Sequence, residues 1–406
     1  MFRIGSNMLN PASIMRWSAS LLIGAALGHA ACFPPGWPRQ EPPLYLTNDQ
    51  AFDVGPYLVL LRPGRVAIVV QDQLDQPPRI RWRTTTSSQT RAISAEPFDD
   101  LWVAVLPELP VNQTYEYEVE SGNRTAGPIP FRVGRPRKEA FSFAAFGDTR
   151  TNHEVHRALI LDLARERAEF VIHSGDLVET GGAEDQWRQF FQIEAPVMSG
   201  RPVLAAVGNH DNSRRMYFRR YFLMGLINEG HRYYTQDWGD VRVITMDSEI
   251  EARAGSAQYA YVEKMLKEGA ERDMILILNL HYPPYSSGAH GSTRETRTII
   301  GELAPRFGVE LVLAGHDHDY ERTKRIDGVT YIVAASGGAP IRRVQPSWFT
   351  AKVRTEPHFV LFDVERDTLV GRAVNLSGDT FDTFVIPKNP PREPPPATAV
   401  DPSALP

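Results

Sequence analysis

Apolar and polar residues repeat with two different periods along this chain, and the change falls near residue 138. Across residues 56–133 the apolar runs are short. Residues 66–70, 80–84 and 101–106 read as strands, and residues 114–119 alternate with period two. Arg62-Pro63-Gly64 and Ser121-Gly122-Asn123 supply turns, and no segment here carries a helical stripe. This spacing predicts an all-β sandwich over residues 45–135. It holds no cluster of reactive side chains, so a packing or spacer role is expected.

Residues 134–138 are polar and basic and are expected to be a linker. Beyond them strands alternate with helices. Residues 141–146, 170–172, 203–207, 274–280 and 309–314 are predicted strands. Residues 153–168, 257–270 and 294–307 are predicted helices, the first with Val155, Leu159, Leu161, Leu163 and Ala164 near one face. Such alternation predicts an α/β domain with much parallel pairing over residues 140–388.

The ends fall outside both domains. Residues 18–31 are small or apolar apart from His29, and Arg3 and Arg16 precede them, so residues 1–31 read as a signal peptide. That predicts an exported protein, periplasmic or extracellular. Cys32 directly follows Ala30-Ala31, as at a bacterial lipoprotein cleavage site. A lipid anchor there and a chance thiol are both open readings. Residues 389–406 are rich in proline and have no apolar face, so a disordered tail is expected. A net charge of -5 offers no basic excess for nucleic acid. One cysteine excludes an intrachain disulfide and a thiolate zinc site. No apolar run reaches the roughly 20 residues of a membrane-spanning helix.

Each of the five predicted α/β strands ends in a polar cluster. These are Gly147-Asp148-Thr149-Arg150, His173-Ser174-Gly175-Asp176, Gly208-Asn209-His210-Asp211, Asn279-Leu280-His281 and Gly315-His316-Asp317-His318. In open α/β sheets, sites form beyond the carboxyl ends of the strands. Five such ends, each delivering Asp, Asn or His, should converge on one small volume. The glycines are expected to let the backbone turn sharply and aim the next side chain inward. A lone Gly-Asp or Asn-His is ordinarily a turn, but five in register with five strands point to a metal centre. Carboxylate, amide and imidazole ligands suit hard or borderline divalent ions. A carboxylate can bridge two such ions, and the pair clamps the attacking and leaving oxygens of phosphoryl transfer.

The ordered set resembles the calcineurin-like metallophosphoesterase superfamily. Tyr320-Glu321-Arg322 after the last cluster, with a sandwich upstream, resembles its purple acid phosphatase branch. Leu109-Pro110 ahead of Tyr115-Glu116-Tyr117 resembles the tyrosine corner of fibronectin type III domains, with Trp82 as the core tryptophan. The resemblance implies two central mixed sheets flanked by helices, and two divalent or trivalent metal ions (Fe, Mn, Zn or Co). It implies Asp148 and His318 on one ion, Asp176 bridging, and Asn209, His281 and His316 on the other. It places His210 beside the substrate. It gives His290, nine residues after His281, a phosphate contact and protonation of the leaving group; an exposed loop histidine is the other reading. The implied activity is that of an exported phosphomonoesterase on small phosphate esters. A phosphodiesterase on the same core and a surface binding protein with a weakened metal site are the alternatives.

Two positions depart from the pattern. Glu179 stands where purple acid phosphatases carry an iron-binding tyrosine, so their charge-transfer colour should be absent. Arg150 stands where most of the superfamily carries a metal-binding histidine. The first metal position then keeps Asp148, Asp176 and His318, completed by Glu179 or by water. Arg150 either contacts a phosphate oxygen or makes a surface ion pair.

Overall fold

The first eight strands build the expected sandwich. The computed structural model describes residues 52–73 and 76–390, so the expected signal peptide, Cys32 and the tail beyond residue 390 lie outside the described residues. The strands are β1 (Val54–Arg62), β2 (Arg65–Gln71), β3 (Arg79–Thr84), β4 (Arg91–Ser94), β5 (Glu96–Phe98), β6 (Leu101–Val105), β7 (Tyr115–Ser121) and β8 (Arg124–Phe131). They pair as two four-stranded sheets, β1-β2-β6-β5 and β4-β3-β7-β8. Leu58, Val66, Ile68, Ile80, Trp82 and Tyr117 fill the space between them. Tyr115 Oη donates to the Pro110 carbonyl at 2.9 Å, which closes the expected corner.

The β1-β2-β6-β5 sheet is buried on its other face too. Tyr57, Val59, Ala67, Val69, Leu101 and Val103 belong to the core of the α/β layers. Both sets of alternating side chains are thus covered, which is why residues 66–70 read as a continuous apolar run. Residues 134–138, the expected linker, join the sandwich to the part that follows and are themselves held. All described residues fall in one compact unit, and Arg135 and Arg137 of that segment are paired with Glu169 and Asp240.

The second part begins with β9 (Phe141–Phe146), α1 (His153–Ala164), β10 (Val171–His173), α2 (Glu184–Met198) and β11 (Val203–Ala205). Then come α3 (Tyr217–Tyr221), α4 (Met224–Asn228), β12 (Tyr234–Trp238), β13 (Val241–Thr245), α5 (Ala257–Glu271), β14 (Ile275–Asn279), α6 (Arg294–Phe307) and β15 (Leu311–Ala314). Six strands follow: β16 (Tyr320–Thr323), β17 (Thr330–Ala334), β18 (Thr350–Arg354), β19 (His358–Glu365), β20 (Thr368–Asn375) and β21 (Thr380–Pro387). They form two mixed sheets, ordered β11-β10-β9-β19-β20-β21 and β12-β13-β14-β15-β17-β16-β18.

Alternation along β14 and β15 sets the layers. Ile275, Ile277, Leu311 and Leu313 face the core shared with the other sheet. Leu276, Leu278, Val312 and Ala314 face the outer core with Val262 and Leu266 of α5 and Ile300 and Leu303 of α6. Helix α1 starts where Asn152 Oδ1 accepts from the Val155 N–H at 3.2 Å. It ends at Ala164, short of the expected residue 168, because the Arg201 guanidinium takes the carbonyls of Leu163, Ala164 and Glu166. Asn389, the first residue of the expected tail, is fixed by hydrogen bonds to Glu310, Val309 and Gly328.

Candidate metal centre

Every expected ligand lies just past the carboxyl end of a strand. Asp148 follows β9, Asp176 follows β10, Asn209 follows β11, His281 follows β14, and His316 and His318 follow β15. Strands β9 to β11 belong to one sheet and β14 and β15 to the other, so the site straddles both layers.

The backbone fixes the tautomer of two histidines. His281 Nδ1 lies 2.9 Å from the Ser174 carbonyl, and His318 Nδ1 lies 2.8 Å from the Pro340 carbonyl. A carbonyl only accepts, so each Nδ1 carries the proton and each Nε2 has a bare lone pair. The His281 lone pair faces other acceptors, whereas the His318 lone pair meets both a carboxylate and the Arg150 guanidinium. His281 Nε2 is 3.1 Å from Asn209 Oδ1 and 3.5 Å from Asp176 Oδ1. His318 Nε2 is 3.6 Å from Asp148 Oδ1. Ligating atoms of Asp148, Asp176 and His318 all lie within 4.8 Å of one another. Around His281 the acceptors converge without a proton between them, which is the donor set of a cation, while at Asp176 and His318 a guanidinium already supplies the positive charge. The far-side bond to a carbonyl is the usual orienting partner of a ligand histidine. His316 stands beside them, its ring centroid 5.1 Å from that of His281.

Electrostatics agree. Burial, then repulsion from Asp176, raises the Asp148 carboxyl well above the usual range. Burial, then neighbouring histidines, lowers His316, and burial lowers His318 to about 4. A cation at the site would reverse the carboxylate shift and reinforce the neutral imidazoles.

The turns work differently from expectation. Asp148, Asp176, His316 and His318 themselves adopt left-handed φ values of 56°, 56°, 77° and 52°, a conformation that costs free energy in non-glycine residues. Of the motif glycines only Gly175 does so, at 94°. Gly208 and Gly315 are needed for space: a Cβ there would lie 2.2 Å from Asp176 Oδ1 and 2.5 Å from Asp148 Oδ2, respectively.

The other expected residues are also close by. The His210 N–H donates to Asp176 Oδ1 at 2.9 Å, and its Nδ1 lies 2.7 Å from the Glu179 carbonyl. The His290 ring stacks on His316 with centroids 4.2 Å apart, which places it at the centre. Arg150 is no surface pair. Its side chain is 9% exposed, and it donates from Nε to Asp176 Oδ2 at 3.1 Å and from Nη1 to Glu179 Oε2 at 2.5 Å. Its Nη2 lies 3.3 Å from His318 Nε2. Glu179 turns to Arg150 and Thr151.

Three residues escaped the sequence reading. Asp211 is buried and accepts four backbone N–H groups, from Asp176, Gly208, Leu177 and Val178. It clamps two ligand loops together, and its place two residues after Asn209 was the available signal. Asp317 accepts from the N–H groups of His290 and Gly291 at 2.6 and 3.1 Å, and from the Ser286 hydroxyl, and so seats the His290 loop. Arg342 reaches the His316 carbonyl at 3.5 Å from the loop after β17. Its charge adds to burial in lowering the pKa of His290. That loop opens with Ser336-Gly337-Gly338 after an apolar strand, a strand end with glycines but without the Asp, Asn or His of the other five.

Comparison with known proteins points the same way. Residues 141–320 match the family model described as calcineurin-like phosphoesterase. A probable inactive purple acid phosphatase 1 of Arabidopsis thaliana is 26% identical over 278 residues, covering 57% of this chain and 45% of the relative. A nucleotide pyrophosphatase/phosphodiesterase of Hordeum vulgare is 25% identical, covering 56% of this chain and 74% of the relative. The chain thus spans less than half the length of the first of these relatives. In fold, the purple acid phosphatase from yellow lupin (Lupinus luteus) seeds superposes with a TM-score of 0.72 at 20% identity, covering 82% of this chain and 74% of that one. Such domains imply a dinuclear metal site, and the residues expected to hold it lie together here. The chain therefore carries a calcineurin-like phosphoesterase domain and is similar in sequence and fold to purple acid phosphatases.

Proposed function

We propose that this protein is an exported, metal-dependent phosphoester hydrolase, and first a phosphomonoesterase, with an N-terminal fibronectin type III-like sandwich. Asp148, Asp176, Asn209, His281, His316 and His318 are its metal ligands. The observation that carries this reading is the pair His281 and His318. Each has its proton held by a carbonyl, and its lone pair is turned into the cluster, that of His281 onto carboxylate and amide oxygens and that of His318 between Asp148 and the Arg150 guanidinium. When bound, the ions supply Lewis acidity and an acidified water. The chain's own groups do the rest. His210 and His290 flank the place where phosphorus would sit, and His290 hands a proton to the leaving oxygen. Arg342 brings positive charge to the same mouth. A second reading, phosphodiesterase, draws on Arg342 as a cation beyond the metal ligands and on the name of the barley relative.

The test is metal removal followed by hydrolysis of p-nitrophenyl phosphate and its bis-ester. Activity should vanish on chelation and return with Mn, Fe, Co or Zn. Full activity after complete metal removal would refute the reading. A preference for the diester selects the second one, and metal binding without hydrolysis of either ester leaves a binding protein.

A further inference from the structure

The guanidinium of Arg150 stands among the ligands of the first metal position. It touches two of the three: Nε lies 3.1 Å from Asp176 Oδ2, and Nη2 lies 3.3 Å from His318 Nε2. A latch holds it there. Nη1 reaches Glu179 at 2.5 Å and Thr151 Oγ1 at 3.4 Å, and the Thr151 hydroxyl donates to the same Glu179 oxygen at 2.6 Å. Of the five N–H donors of a guanidinium these contacts use four, and it has no lone pair with which to bind a metal.

His318 has one ring lone pair available, because Pro340 holds the proton on the other nitrogen. That lone pair can face Arg150 or a metal ion, not both. Asp176 is divided in the same way. Its Oδ1 faces His281 at 3.5 Å on the second side, while its Oδ2 is engaged by Arg150 on the first. A fixed positive charge therefore balances Asp148 and Asp176 where the first ion would, and it would repel that ion at close range. Among the described residues no guanidinium hydrogen-bonds to Asn209, His281 or the His316 ring at the second position.

We propose that Arg150 is a gate on the first metal position. With its guanidinium in place the protein holds one divalent ion tightly, at the second position, and takes another only when Arg150 swings away. This rests on the metal-centre reading above and makes the two positions unequal by construction.

Equilibrium dialysis against Mn2+, with EPR on the same samples, tests it. The wild type should bind one tight equivalent with the signal of an isolated ion, and a second only at much higher Mn2+. Arg150→Met, which keeps most of the packing, and Arg150→Ala should each tighten the second equivalent by roughly 10- to 100-fold. Their EPR signal should become that of a coupled pair. Adding Asp148→Asn to Arg150→Met should remove that second equivalent and spare the first. Two equivalents of comparable affinity in the wild type would overturn the gate alone. So would Arg150 variants that gain nothing. A wild type that binds no ion at all would overturn the metal-centre reading and the gate with it.

Discussion

Asp211→Asn probes the scaffold beneath the site. The Asp211 carboxylate is 1% exposed. Its hydrogen bonds run to the N–H groups of Asp176, Gly208 and Leu177 at 2.8 Å and of Val178 at 3.1 Å. Asparagine has nearly the same outline but only one oxygen. Whichever way the amide turns, two backbone N–H groups face an NH2 group in place of an acceptor. An orphaned buried donor costs about 1–3 kcal/mol, so two give about 2–6 kcal/mol. One effect offsets this. Burial and the Asp176 charge push the Asp211 pKa up against the pull of its N–H donors, so removing the charge relieves part of that opposition. The expected net loss is about 2–4 kcal/mol, within the range for breaking a buried network. Either pair of orphaned groups lies on the ligand loops, so Mn2+ affinity should fall too, by roughly 10- to 100-fold. Urea denaturation of the metal-free protein and Mn2+ dialysis read the two effects. A variant within ~0.5 kcal/mol of wild type that binds Mn2+ unchanged would refute the clamp.

Three further outcomes are expected. His290→Ala should keep its metals and slow an alkyl phosphate by about 10² or more, but an aryl phosphate with an acidic phenol much less; loss of metal, or equal slowing of both, rules out the acid. Iron-loaded protein should show no phenolate-to-iron band, because Glu179 occupies the tyrosine position and is bound to Arg150; a visible band that disappears in Tyr282→Phe would show that Tyr282, which packs on His281 and His316, has reached the metal. Burial raises the Glu310 pKa from 4.5 to about 7, so its contribution is complete below pH 4.5 and is lost as pH rises through about 7. Wild type should therefore lose up to about 3 kcal/mol relative to Glu310→Gln across that window, and parallel stability curves for the two proteins would contradict this.

The parts of the chain that were legible share a cause. Strands β9, β14 and β15 are covered on both faces, so they stand out as short apolar runs that end abruptly in their motifs. Helix α2 was not legible, although Trp187, Phe190, Phe191, Val197 and Met198 are spaced for one buried face. Pro196 lies inside it, and its face also buries Glu194, 2.8 Å from His156 Nε2, so a charged residue and a breaker interrupt the pattern. Strands β19 to β21 form an antiparallel run out to the sheet edge, where β21 alternates buried and exposed positions, a weaker signal than the motif strands give. The candidate metal ligands were legible as a group because they follow strands in a fixed order. Asp211 and Asp317 were not, because each works by accepting backbone N–H groups, which leave no trace in side-chain spacing.

One motif residue shows why a polar strand end need not be a ligand. Asn279 closes β14 in the same way that Asp148 follows β9, yet its amide is wholly committed to the protein. Its Oδ1 accepts from Ser174 Oγ at 3.0 Å, and its Nδ2 donates to the carbonyls of His173 and Leu204 at 3.3 and 3.4 Å. These partners lie in or beside β10 and β11, across the interface between the two sheets. His281, two residues on, adds its own bond to the Ser174 carbonyl. The ligands come from both layers, so their spacing depends on how one layer is set against the other, and apolar packing alone tolerates small slides. Buried hydrogen bonds do not, because a shift would strand several polar groups at once. The layers are therefore pinned at the edge where the ligands emerge, and the sandwich braces them from outside: Tyr57 Oη donates to the Tyr221 carbonyl and Tyr117 Oη to the Ser199 carbonyl. A domain without reactive side chains thus bears on the chemistry through the register of the sheets it packs against.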